Sequence, residues 1–67
     1  MASRFDRAMR LMRKHDPQLQ EDGYHLLLPH AAEHLQELIA AYEAETEDPG
    51  LRGWLLELIE IARAESE

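Results

Sequence analysis

Glu47-Asp48-Pro49-Gly50-Leu51-Arg52-Gly53-Trp54-Leu55-Leu56-Glu57-Leu58-Ile59 is the stretch whose reading decides the fold. Asp48 places a side-chain acceptor ahead of a proline. Proline at a first helical position costs nothing, because its missing N–H would have had no partner there. The pair predicts a helix starting at Pro49. Beyond it, Leu51, Trp54, Leu55, Leu58, Ile59, Ile61 and Ala62 cover an arc of about 160° at ~100° per residue. Leu56 lies outside even that arc. A helix apolar over so much of its circumference touches more than one neighbour.

The same punctuation occurs 32 residues earlier, where Asp16-Pro17-Gln18-Leu19 matches Asp48-Pro49-Gly50-Leu51 and Leu26-Leu27 matches Leu58-Ile59. Each unit is then an A helix, an Asp-Pro turn and a B helix. The first A helix begins at Ser3, whose S-x-x-D spacing to Asp6 is a capping box, and it buries Phe5, Ala8, Met9 and Met12. Its B helix runs from about Pro17 to Leu27 with Leu19, Gly23, Leu26 and Leu27 inward. Mid-helix Gly23, ~1 kcal/mol worse than alanine, fits either the close approach of a neighbouring backbone or simple tolerance. Pro29 opens the third helix, with Leu35, Leu38, Ile39 and Tyr42 as its stripe and Glu33, Glu37 and Glu43 in water. The expectation is one all-α domain of four helices in two antiparallel hairpins, 3–28 and 30–65. Units too small to bury their own apolar faces are the mark of a solenoid.

The stretch 47–59, an acidic turn, an apolar-Arg pair and an apolar helix, resembles the second half of a HEAT repeat. The 32-residue period is similar to the short HEAT-like repeats of bacterial proteins, including those of phycobilin lyase subunits. The resemblance covers residues 30–63 well and 3–28 more loosely. It implies a minimal stacked α-solenoid that binds proteins, in which Asp48 and Arg52 tie the turn to the neighbouring repeat. Asp16 takes the same turn position in the first repeat, where Gln20 stands in place of the arginine.

Composition agrees with a helical globule. Apolar residues make up 45% of the 67 and charged residues 31%, with no valine and no cysteine. Strand formers are scarce and helix formers abundant. A chain of this size buries only ~60% of its unfolded surface. Without cysteine, neither disulfides nor a thiolate metal site can add stability, which leaves association with a copy of itself or with further repeats. The net charge of −7 is uneven. Arg4, Arg7, Arg10, Arg13 and Lys14 against Asp6 give residues 1–14 a balance of +4; Arg52 and Arg63 against thirteen acids give residues 15–67 a balance of −11. The acidic body argues against nucleic acid as a partner. No apolar run approaches the ~18 residues of a membrane span, and the basic start reads as a mature first helix and not as a targeting segment. A cytoplasmic protein without cofactor, contacting neither membrane nor nucleic acid, is expected.

His30-Ala31-Ala32-Glu33-His34 is the one motif with catalytic associations, an H-x-x-E-H in which His30 and His34 would share a helical face and hold a metal. A catalytic zinc needs a third protein ligand and a cleft, for which four short helices have little room. Metal binding by His30 and His34 is therefore the alternative to the leading expectation, a non-enzymatic interaction module or small adaptor. The expected interface is the last helix, through Trp54, Leu56 and Ile61, with a homodimer as its simplest form.

Overall fold

A computed structural model describes residues 3–66, the Ser66 side chain excepted. Among them the chain is all-helical, in three helical stretches. The first is α1 (Arg4–Met12). The second is a long run in which α2 (Pro17–Leu27) passes through a 3₁₀ segment (Leu28–His34) into α3 (Leu35–Ala44). The third is α4 (Pro49–Ser66).

The starts are where the caps place them. Ser3 accepts from the Asp6 amide at 3.1 Å while Asp6 reaches back to the Ser3 amide, so two of the unpaired donors of a helix start are satisfied together. Asp16 accepts from the Gln18 amide at 2.9 Å, with Pro17 opening α2. Asp48 does the same for α4, accepting from Gly50 at 3.0 Å and Leu51 at 3.2 Å. His15, at φ 59°, turns the chain between α1 and α2.

The third helix departs from the sequence reading. No turn separates α2 from α3. Pro29 has no N–H to give to an α-helical bond and its ring crowds the preceding turn, so the chain tightens to 3₁₀ geometry, with His30 bent to φ −125° and ψ 18°. Regular α-helix resumes only at Leu35.

α1 folds back on α2, and α4 packs against α2, the 3₁₀ segment and α3. Gln20 and Tyr24 of α2 meet Asp48 and Trp54 of α4 in order, so α2 and α4 run side by side in one direction. A single core results: Phe5, Ala8, Met9 and Met12 of α1 join Leu27, Ala31 and Leu38 of the middle run and Leu51, Leu55, Leu58, Ile59 and Ala62 of α4.

Gly23 sets how closely α1 lies on α2. A Cβ there would stand 2.5 Å from Met12 Cγ and 2.7 Å from the Ala8 carbonyl oxygen. The approach also fixes the rotation of α2. Gln20, Gly23 and Leu27 face inward, Leu19 is half-buried, and Leu26, expected inside, is 36% exposed at the edge.

Gly23 and Gly53 make opposite tests. Gly23→Ala should destabilise by roughly 1–3 kcal/mol despite alanine's better helix propensity, because Ala8 main chain cannot yield. Gly53→Ala, with nothing within 4 Å, should stabilise by about 0.5–1 kcal/mol. Urea unfolding followed by Trp54 fluorescence measures both, and a neutral Gly23→Ala would remove the close crossing.

Candidate interaction surface

The turn that starts α4 ties the molecule together. Asp48 uses Oδ1 as the cap and Oδ2 as a bridge: His15 Nδ1 lies 2.8 Å from Oδ2, and Gln20 Nε2 donates to it at 3.1 Å. Gln20 Nε2 also donates to the Met12 carbonyl at 3.2 Å, so this 5%-exposed amide joins α1, α2 and α4. Gln20 and Arg52 lie 32 residues apart in the sequence, and Gln20 carries a bond from α2 to the turn that starts α4. Arg52 turns the other way. Its guanidinium donates to the Glu45 carbonyl at 2.7 Å and lies 4.2 Å from the centre of the Tyr42 ring, closing the α3–α4 turn and not touching Asp48. Glu45 adds acceptors for the Glu47 and Asp48 amides.

These bonds hold the Asp48 carboxyl below its ordinary value. The Leu51 amide lowers it most, partial burial opposes, and the His15 hydrogen bond and charge and the Gly50 amide lower it further.

His30 and His34 stand apart from any such network. His30 itself departs from helical geometry, at φ −125° and ψ 18°, so the i,i+4 register that an α-helix would give the two imidazoles does not hold here. Each imidazole pairs locally: His30 Nδ1 lies 3.4 Å from Glu33, and His34 Nδ1 donates to Glu37 at 2.8 Å. The His34 ring stacks near Phe5, centroids 5.6 Å apart, and its Nε2 is buried without a hydrogen-bond partner. Among the described residues no group of three or more His, Cys, Asp or Glu side chains is gathered as a metal would require.

The three expected interface residues divide between two sides of α4, with Trp54 and Ile61, seven residues apart, on one and Leu56 on the other. Trp54 is half-buried against Tyr24, ring centroids 4.8 Å apart, where burial and then Glu57 raise the Tyr24 phenol. Ile61 is half-buried against the core. Leu56 alone is 40% exposed, and with Leu26 it makes up the exposed large apolar residues among those described. Leu26 belongs to an open groove of about 320 Å³ between α1 and α2, lined also by Arg7, Arg10, Leu11 and Lys14. Sequence reading placed Leu26 in the core. Its signal was Leu11, which falls outside the buried stripe of α1 and needs an apolar neighbour.

Among the described residues no helix is long and apolar enough to cross a membrane. Compared with family models, curated proteins and solved structures, the chain matches none.

The double use of Asp48 gives an ordered set of losses. Asp16→Ala removes a single cap, about 1 kcal/mol. Asp48→Ala should cost more, since the tie to Gln20 and His15 goes with the cap. Asp48→Asn keeps the cap and loses the charge. A depressed carboxyl stabilises the fold above its unfolded value of 3.8 and ceases to as pH falls through the folded value. The stability gap between wild type and Asp48→Asn should therefore narrow as pH falls below about 4. A gap that is flat through that range in denaturant titrations would place the linkage elsewhere.

Proposed function

We propose that this chain is a non-enzymatic protein-interaction module, a minimal HEAT-like stack of two helical hairpins, that docks through the outer face of α4. One observation carries the reading: Leu56 is left 40% exposed on a helix whose opposite face already fills the core. The Asp-Pro caps of α2 and α4, 32 residues apart, support the repeat reading, while Gln20 and Arg52 at the same offset differ in what they bind. Side chains at matching positions bind the turn of the next unit in one case and their own turn in the other. In a repeat array each outer helix is covered by its neighbour. Here a partner chain takes that place, most simply a second copy.

Full burial of a leucine contributes ~1.5–3 kcal/mol, so covering what remains of Leu56 gives on the order of 1 kcal/mol. Association through it alone is weak and has to be sought at high concentration. Sedimentation velocity at hundreds of micromolar should show reversible association of the wild type. Leu56→Glu should return it to monomer with its helical circular dichroism unchanged. A wild type that sediments as a monomer throughout would end the self-association reading.

A further inference from the structure

The basic segment of the chain finds almost no acid when the chain folds. Among the described residues Arg4 alone of the cations in residues 4–14 reaches a carboxylate, Glu33 at 4.0 Å. Arg7, Arg10, Leu11 and Lys14 recur at i, i+3, i+4 and i+7, which puts them on one side of α1 and the turn that ends it. With Leu26 of α2 they line the groove between the two helices. The three cations are exposed, and Leu11 among them is half-buried. Two acids stand near in helical register. Asp22, one turn before Leu26 on the same edge of α2, is outside the lining; Asp6, one turn before Arg10, is held in the capping box with Ser3. Three cations against Asp22 leave the groove positive.

The site calls for acid and hydrocarbon on one element. A phosphate backbone meets the cations and leaves Leu11 and Leu26 in water. A bilayer takes up apolar side chains that project past their basic neighbours, and here the cations are the outer groups. A helix with leucine-sized side chains flanked by Asp or Glu at i±3 and i±4 satisfies both halves of the groove. From Arg7 to Lys14 the stripe spans ~10 Å, so two turns of such a helix cover it. The Leu56 face of a second copy does not qualify, since Arg52, Glu60 and Arg63 share it at helical spacing.

We propose that the α1–α2 groove docks an acidic amphipathic helix of another protein, with an apolar side chain seated between Leu11 and Leu26 and carboxylates over Arg7, Arg10 and Lys14. The surface is separate from the Leu56 face, so the proposal goes beyond docking through α4 and does not need it.

Selection of random helical peptides against the full chain tests this without presuming the partner's sequence. Enriched peptides should combine Asp or Glu with large apolar residues at helical spacing. A fluorescein-labelled copy of one should bind about tenfold more weakly to Leu26→Glu and to Lys14→Glu, and equally well to Leu56→Glu. Its affinity should fall several-fold as salt is raised, because the cationic rim is exposed. Lys14 is solvent-exposed, so its variant keeps the result readable if Leu26→Glu loses helix content. No enrichment, enrichment of basic or uncharged peptides, or binding that survives both groove variants overturns the proposal. Tighter binding to phosphatidylserine vesicles or to duplex DNA than to the peptides also overturns it. So does loss of the chain's own association on Leu26→Glu, which would make a second copy the occupant. Docking through α4 is read separately, by sedimentation of Leu56→Glu, and survives a failure here.

Discussion

The carboxylate of Asp48 is the constraint on which the arrangement of helices depends. One oxygen satisfies the amides that open α4; the other reaches the turn after α1 and the buried amide of α2. A helix cap is ordinarily a local device that fixes where a helix starts. Here the same group also fixes where that helix lies relative to two others. Apolar burial alone is non-directional and would tolerate sliding of α4 along α2. The bond from Gln20 sets the register, and the Tyr24–Trp54 stack one turn on keeps it.

Buried Gln20 is correspondingly exacting. A glutamine amide has two donors and an acceptor, and Nε2 spends its donors on the Met12 carbonyl and on Asp48. An apolar residue would fill the space and leave both acceptors short of a donor. Polar groups that are buried and satisfied specify one arrangement where a greasy contact permits several.

Much of this fold was legible in residue order because caps and helix crossings are short-range chemistry. Ser3 with Asp6, Asp16 with Pro17 and Asp48 with Pro49 each declare a helix start. Gly23 pointed to a crossing without proving one, since Gly53 stands inside α4 with nothing within 4 Å of it. What stayed hidden depended on rotation and on distant partners. Nothing near Gln20 announces that it faces inward; that follows from how α1 sits on Gly23. Pro29 is as compatible with a first helical turn as with a kink, and only the packing of α4 on residues 28–34 decides between them. The spacing of His30 and His34 presumed the α-helical geometry that Pro29 disrupts. Leu26 was misplaced for the same reason as Gln20. One error of rotation concealed both the buried tie and the groove.

The passage from α2 to α3 without a loop bears on how fast the chain folds. Residues 13–16 and 45–48 link the elements in stretches of four, and His30 bends the long middle run. α1 packs on α2 and α3 on α4 across these short links, the local contacts that speed the folding of helical proteins. The Gln20–Asp48 bond belongs to the distant contacts of α4 with α2, closing a loop of 28 residues. Closure entropy places such a contact late, after the helices have met. Interactions formed after the folding barrier govern how slowly a protein opens and leave its rate of formation almost untouched. The Asp48 knot is thus a latch: it contributes little to the speed of assembly and much to the lifetime of the folded state.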